Sequence, residues 1–401
     1  TTDYGKSWSK ITKGIDEEHF TRVLREDPAN KNILYAGTET GMYISFNSGK
    51  NWRAFQLNLP IVPITDLTIK NNSLIVATQG RSLWMIDDLT VLHQAYINNL
   101  DKERLPYNNL HENILYKPKD VYRTAGSKTS RNNLTEGENL DNGVITYFNI
   151  TNYKDKDEVT LTYLNNKRDT IVSFGNNLKG KKNLKVEKGA NKFSWNMYYD
   201  GASDFKGMVL WWASLSGPKA VPGSYYVDLN FNGKVISKSF NILIDPRSES
   251  STLKMEEQFK FISSINETVD KAHKSIKKIR NIKNQLSMFI KDYSENDVKE
   301  LIDKASVLEG KLSSIEKELY QTQNRSGQDP LNFPIRLTNK LAHLNSLVSM
   351  GDFPPTLQDI KVKDFLTEEI NKSLERFDKL IEDEIIGFNN LFNSNNLNHI
   401  I

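Results

Sequence analysis

The sequence has 401 residues, enough for about two to four domains. Its 53 basic residues nearly balance its 50 acidic residues, which argues against a nucleic-acid or other polyanionic partner. Cysteine is absent, so the chain has no disulfide framework and no redox-active thiol, and no apolar run is long enough to predict a membrane span.

A short motif occurs twice near the start of the chain. Residues 1–8 read TTDYGKSW and residues 45–52 read SFNSGKNW, so both fit the pattern S/T-x-D/N-x-G-x-x-W. A repeat of roughly 40–50 residues with a recurring Trp is typical of β-propeller blades. The Asp or Asn is expected to accept hydrogen bonds from its own turn, the Gly to supply a positive φ, and the Trp to close the loop. These structural roles fall to Asp3, Gly5, Trp8, Asn47, Gly49 and Trp52.

The repeated motif resembles the Asp-box (BNR) motif of sialidase-like and sortilin-like propellers, in which it is a folding device. A propeller typically has four to eight blades, whereas residues 1–95 hold about two, the last blades of a ring. Two blades alone would leave long unpaired strand edges. We therefore expect the chain to be the C-terminal part of a longer protein. Its partners would be the remaining blades, on a lost N-terminal segment or a second chain.

The middle of the chain changes character twice. Residues 96–140 are polar and rich in Asn, and they predict a connector. Strand signals return over residues 141–246, including a hairpin signal at Asn232-Gly233, and about seven strands predict an immunoglobulin-like β-sandwich. A stretch at 200–222 that contains Trp211 and Trp212 interrupts the strand spacing. It predicts a long loop that serves either as a lid or as an interdomain contact.

After Asp245-Pro246 the apolar pattern takes a helical period. One stripe alternates steps of three and four without a miss, through Val298, Leu301, Ala305, Leu308, Leu312, Ile315 and Leu319. Three other stripes run over 255–290, 337–348 and 374–391, and loops rich in Pro, Gly and Asn are expected at 323–333 and 350–363.

No single helix of this kind is stable alone, so the pattern predicts a four-helix bundle over 252–395, followed by a tail at 396–401. The predicted fold class is therefore a multidomain β-plus-α protein. It would combine a partial β-propeller with Asp-box blades, an immunoglobulin-like β-sandwich and a C-terminal four-helix bundle.

Four longer segments carry a wider resemblance: ATQGRSLWMIDDL at 77–89, KFSWNMYYDG at 192–201, AVPGSYYVDLNFNGK at 220–234 and NRSGQDPL at 324–331. Together with the order of the domains, they resemble a family of large secreted bacterial BNR/Asp-box, sortilin-like propeller proteins that are usually described as glycosyl hydrolases. The resemblance implies a large N-terminal propeller. It also implies an extracytoplasmic location, whether secreted, periplasmic or on the outer cell surface.

Few residues suggest catalysis. A glycosidase needs two carboxylates that face one sugar, and Asp66, at the start of a strand, is the candidate, whereas Asp87 and Asp88 are expected to close the final strand. No acid pair or nucleophile constellation is evident. The six histidines show no metal-ligand spacing, so neither a metal nor a cofactor is expected; they are His19, His93, His111, His273, His343 and His399. This segment is expected to be non-catalytic, and whether the full-length protein is an enzyme stays open.

Two functions remain open from the sequence. In the first, the chain is the C-terminal part of a secreted or cell-surface propeller protein and acts as a scaffold for protein interaction, with other envelope proteins or glycans as further candidate partners. The alternative is a glycosyl hydrolase-like, carbohydrate-active protein whose active site lies in the missing N-terminal propeller.

Overall fold

The computed structural model describes residues 1–97, 112–124, 140–293 and 295–394. These residues form two small sheets at the N-terminus, a second pair of sheets around its own core, and a region of helices. The fold is therefore β plus α, with several apolar cores. The predicted tail at 396–401 and most of the predicted connector lie outside the described residues.

The two N-terminal sheets are antiparallel meanders. The first has the order β1-β2-β3-β4 and the second the order β5-β6-β7. Their strands are β1 (Thr21–Glu26), β2 (Leu34–Thr38), β3 (Gly41–Ser45), β4 (Arg53–Ala54), β5 (Ile64–Lys70), β6 (Ser73–Thr78) and β7 (Leu83–Ile86). The sheets share one apolar core, which also takes in Leu89 and Leu92 at the start of helix α1 (Thr90–Ile97).

Gly37 lies where the two N-terminal sheets meet. A Cβ atom at this position would come within 2.5 Å of the Ile64 side chain and 2.7 Å of the Val23 side chain. Any larger residue would therefore force β2 away from β5, and the glycine sets how closely one sheet packs on the other.

The second pair of sheets encloses an aromatic-rich core. Its strands are β8 (Ile114–Leu115), β9 (Val121–Tyr122), β10 (Val144–Ile150), β11 (Val159–Leu164), β12 (Thr170–Gly175), β13 (Gly189–Trp195), β14 (Gly223–Phe231) and β15 (Lys234–Leu243). One sheet has the order β13-β10-β8 and the other the order β12-β11-β14-β15-β9. Between them Tyr163 stacks on Trp195 at a ring-centroid distance of 4.6 Å. Strands β8 and β9 come from the predicted connector, so these parts of it are paired into the sheets.

The C-terminal region consists of helices α2 (Thr252–Asp292), α3 (Glu295–Leu319), α4 (Leu337–Val348), α5 (Leu357–Lys379) and α6 (Ile386–Ser394). Their apolar faces form one continuous core. Within the described ranges, none of these helices combines the length and the apolar character that crossing a bilayer requires.

A π-helical turn, Leu380–Ile385, joins α5 to α6. In it the Ile386 amide donates to the Ile381 carbonyl, five residues back rather than four. Phe377 before the turn and Phe388 after it are both buried in the bundle core. The turn thus takes up one residue more than an α-helical turn would, and residues on both sides of it pack into the same core.

Residues 200–217, here called the insert, leave the sheets and lie along the helices. Phe205 is buried in the bundle core. The Asn339 side chain bonds both the amide and the carbonyl of Trp211 at 2.9 Å, and the Val209 amide donates to the Tyr320 hydroxyl at 2.7 Å. Of the two roles that the sequence left open for this loop, the structure therefore shows the contact with the helices.

Candidate functional site

The two motif copies form the same hydrogen-bonded turn. In the first, Asp3 Oδ1 accepts from the Ser7 amide at 2.9 Å and the Gly5 amide donates to Thr1 Oγ1 at 2.7 Å. Both glycines take a positive φ, 87° at Gly5 and 81° at Gly49. The hydrogen bonds to Asp3, foremost that from the Ser7 hydroxyl, lower the pKa of its carboxyl to about 2. This carboxylate therefore organises its own turn and is not poised for proton transfer.

The second copy repeats the two contacts made by backbone amides. Asn47 Oδ1 accepts from the Asn51 amide at 2.9 Å, and the Gly49 amide donates to Ser45 Oγ at 2.9 Å. An amide oxygen thus replaces the carboxylate without changing the turn.

The tryptophans that end the two turns have opposite environments. Trp52 is 5% exposed, and its indole Nε1 donates to the Ile11 carbonyl at 2.7 Å. It packs with Ala36 and Tyr43 on the face of the first sheet that points away from the second sheet. Trp8 is 79% exposed. Since the backbone contacts of the two turns match, the clearest difference between the copies is that the tryptophan is buried in the second and exposed in the first.

Apolar side chains are also exposed on β1, the edge strand of the first sheet. Val23 points into the core shared with the second sheet, and its neighbour Leu24, on the opposite face, is 46% exposed. Leu24 pairs with Ala36 across the strands, and Ala36 pairs with Tyr43, so the three form one row. Ala36 and Tyr43 are covered by the chain around Ile15, and Leu24 is left at the open end of the row.

Asp66, the candidate catalytic acid, lies on β5 next to an arginine. Its Oδ1 accepts from Arg25 Nη2 at 2.6 Å and from the Leu67 amide at 2.8 Å. Both side chains of the ion pair are largely exposed. Among the described residues no second carboxylate shares these contacts, so the surroundings of Asp66 are those of a surface ion pair rather than of a paired-acid site.

Asp87 and Asp88 lie just after β7. Asp88 Oδ1 accepts from Asn72 Nδ2 at 3.0 Å and from the Thr90 amide at 2.9 Å, so it links the β5–β6 turn to the start of α1. Burial raises the pKa of the Asp87 carboxyl. Of the other candidate groups, His111 and His399 lie outside the described residues, and within the part of the chain that is described no three His, Asp or Glu side chains cluster as metal ligands.

A buried polar cluster that the sequence did not single out joins α1 to the first sheet. Asp27 is fully buried, and its Oδ2 accepts from the Tyr35 hydroxyl at 2.9 Å and lies 2.9 Å from His93 Nε2. Its Oδ1 accepts from the Ala29 amide at 2.9 Å. Burial alone would raise the pKa of Asp27, but the hydrogen bonds outweigh burial and hold its pKa below the usual value. The signal in the sequence is Asp27-Pro28, a turn-forming pair, but nothing there indicates a partner as distant as His93.

Comparisons with known proteins give no independent assignment. No protein-family model matches the sequence, and no curated protein matches it significantly. The resemblance to the Asp-box propeller family therefore stays a prediction from the sequence.

Proposed function

We propose that residues 1–95 are the last two blades of a larger β-propeller, and that the chain acts as the C-terminal scaffold through which a propeller protein makes protein contacts. The observation that carries the proposal is the contrast between the exposed Trp8 and the buried Trp52 in two otherwise equivalent turns. A large indole left in water at a place where the other copy of the repeat buries one is best explained by a missing neighbour.

The packing of the second sheet on the first supports a further sheet as that neighbour. Strand β5 lies against β1 and β2, with Ile64 next to Val23 and Gly37. In a propeller each blade has a similar sheet on both faces. A further blade on the opposite face of the first sheet would cover Leu24. The turn at residues 1–8 would belong to that blade, and Trp8 would then be buried in it. The proposed occupant is therefore a β-sheet of the same kind, on the same polypeptide or on a second chain.

The second pair of sheets and the helices would form the rest of the scaffold. The insert ties the sheets around Trp195 to the bundle through Asn339 and Tyr320, so a partner held by one would be held in a defined relation to the other. The proposed setting is extracytoplasmic, as the resemblance to secreted propeller proteins implies, and envelope proteins or glycans are the proposed further partners.

Site-specific photo-crosslinking in the native source tests the proposal. A benzophenone amino acid would replace Trp8 in one variant and Leu24 in another. The matched control is Val235 on β15, which is also apolar, on a strand and exposed. We expect cross-links from positions 8 and 24 to a β-rich segment with Asp-box turns, identified by mass spectrometry, and none of these from position 235.

Equal cross-linking at all three positions, or none at 8 and 24, would contradict the proposal.

A glycan-hydrolysis screen on the full-length protein and on this chain tests the alternative function, that of a glycosyl hydrolase. Activity in this chain that is lost on Asp66→Asn would favour the alternative, whereas the ion pair of Asp66 with Arg25 gives no support for such a role.

A further inference from the structure

A cavity of about 330 Å³ opens between the insert, α2, the end of α3 and the loop that follows α3. This volume is at the small end of ligand-binding pockets. Five cationic side chains line it, whereas one carboxylate does; the cations are Lys206, Arg280, Lys283, Lys317 and Arg325. None of the residues that line the cavity belongs to the N-terminal sheets, so the proposed propeller contact does not account for it.

The single carboxylate is already engaged. Glu316 is almost fully buried, and its two oxygens accept from Arg280 Nε at 2.6 Å and from Lys283 Nζ at 3.0 Å. Arg280 is further held by the Lys206 carbonyl at 3.0 Å, and its guanidinium lies 4.7 Å from the centre of the Phe205 ring. One negative charge is thus shared between two positive ones in a rigid wall, which leaves a net positive charge even before the other cations are counted.

The remaining three cations have no acidic partner among the described residues. Lys206, Lys317 and Arg325 are exposed at the cavity, and no hydrogen bond or ion pair involves their charged ends. Like charges around one cavity repel one another and focus a positive potential in it. An anion in the cavity would relieve this repulsion and accept several charge-assisted hydrogen bonds at once.

The loop after α3 is built to hold Arg325 at the cavity. Asp329 Oδ2 accepts from the amides of Arg325 and Ser326, at 2.6 and 2.9 Å. Asp329 thus bonds to residues before it and closes the loop, and the Arg325 guanidinium has no acidic partner within the described part of the chain.

A polar atom in the cavity wall lacks a partner. Asn324 is 2% exposed and its Oδ1 makes no hydrogen bond. Buried polar atoms without a partner are rare in native proteins. A ligand hydroxyl would satisfy this acceptor once the side chain turns toward the cavity, and Ser313 and Thr322 add further hydroxyl groups to the lining.

We propose that this cavity binds a small anionic molecule that carries a phosphate or similar oxyanion next to a hydroxyl group. Arg280 and Lys283, fixed by Glu316, would form the rigid side of the site. Lys206, Lys317 and Arg325 would close on the oxyanion from the solvent side, and Asn324 would accept from the hydroxyl.

Calorimetric titration of the chain with inorganic phosphate and with glycerol 3-phosphate, in a low-salt buffer at constant ionic strength, tests the proposal. The cavity variant is Lys206→Gln with Arg325→Gln, because neither charged end has a structural partner. The matched control is Lys271→Gln with Lys299→Gln, which removes the same charge from exposed positions on α2 and α3 outside the cavity. We expect saturable binding of both probes, weakened at least about tenfold in the cavity variant and unchanged in the control, as the loss of a charge-assisted hydrogen bond predicts.

A third variant, Asn324→Ala, tests the hydroxyl contact. Wild-type protein should bind glycerol 3-phosphate more tightly than inorganic phosphate, and Asn324→Ala should remove that preference without weakening the binding of inorganic phosphate. No saturable binding, or equal weakening by the cavity and control variants, would overturn the site. A preference that survives Asn324→Ala would overturn the assignment of the hydroxyl partner.

Discussion

The helical bundle and the N-terminal sheets use apolar residues in opposite ways. In the bundle, the stripe of each helix meets stripes of other helices, and Leu312 at the middle of α3 is fully buried. In the first N-terminal sheet, one face meets the second sheet, whereas Leu24 on the other face is exposed, as is Trp8 in the turn that precedes the sheet. An exposed apolar residue alone says little, and the proposed interface depends on Trp8 having a buried counterpart in the repeat. The predictions below test this contrast.

The largest effect is expected at the centre of the bundle. Leu312→Ala should lower the free energy of unfolding by about 2–5 kcal/mol, through lost transfer energy and a cavity. Leu312→Asp should cost more, because its carboxylate would be buried without a partner. Chemical denaturation followed by circular dichroism at 222 nm would measure both.

The control for Leu312 is its neighbour Lys311. This side chain is half exposed and forms an ion pair with Glu384, so Lys311→Ala should cost less than about 1 kcal/mol. If Leu312→Asp left unfolding nearly unchanged, the stripe would be a docking surface rather than the core of the bundle, and the contrast with Leu24 would disappear.

The second-largest effect is expected where the insert meets α4. Asn339→Leu keeps the volume of the side chain but leaves the Trp211 amide and carbonyl without partners. Each unpaired buried group costs about 1–3 kcal/mol, so the loss should be about 2–4 kcal/mol. Asn371→Leu, on an exposed face of α5, should be neutral or slightly stabilising, since Leu is the better helix former. Equal melting temperatures for the two variants would show that the insert is not docked in solution.

A smaller, pH-dependent effect is expected at Asp27. Its pKa is lower in the folded protein than in the unfolded chain, so its contribution to stability is full above the usual carboxyl pKa of about 4 and is lost as the pH falls through the folded-state value. Asp27→Asn should destabilise the N-terminal sheets by about 1–3 kcal/mol at pH 7.

Amide hydrogen exchange in β2 and β3, corrected for the intrinsic exchange rate, would measure this at several pH values. The wild type and Asp27→Asn should converge in strong acid. A difference between them that stayed constant from pH 7 down to pH 2 would exclude ionised Asp27 as its source.

The smallest effect on stability is expected at Leu24. Leu24→Asp should change the free energy of unfolding by no more than about 0.5 kcal/mol, because the side chain is already in water. The same variant should abolish the cross-links from position 8, because a carboxylate would be buried under the proposed neighbouring sheet. A loss of several kcal/mol in this chain alone would mean that Leu24 is packed within it.

Features that depend on neighbours in the sequence could be predicted well. The hairpin at Asn232-Gly233 is present, with φ values of 49° and 86°, because few other residues accept these angles. The α3 stripe is buried from Leu301 to Leu319. Val298 was predicted to belong to the same stripe, but it is only half-buried and its backbone is not helical. The regular part of the stripe therefore begins at Leu301, one position later than predicted.

Features that depend on distant partners could not be predicted. The cluster of Asp27, Tyr35 and His93 and the bonds between Trp211 and Asn339 join residues far apart in the chain, and no local pattern indicates which groups will meet. The expected loop at 350–363 is shorter than predicted: it ends at Thr356, whose side chain and that of Asp359 form a reciprocal cap at the start of α5. The T-x-x-D pattern at 356–359 is a sequence signal for this cap, whereas the prolines at 354 and 355 are typical of the loop before it.

The π-helical turn between α5 and α6 restricts how the C-terminal part of this chain can change in length. In a regular helix each residue turns the chain by about 100°. A π-helical turn is an α-helical turn that has taken up one extra residue. Deleting one residue within Leu380–Ile385 would therefore restore a regular helix and leave Phe388 and Phe392 in the bundle core, whereas a further inserted residue would rotate both out of it. The connection between α5 and α6 can therefore lose one residue with little effect on the core, but it is far less tolerant of gaining one.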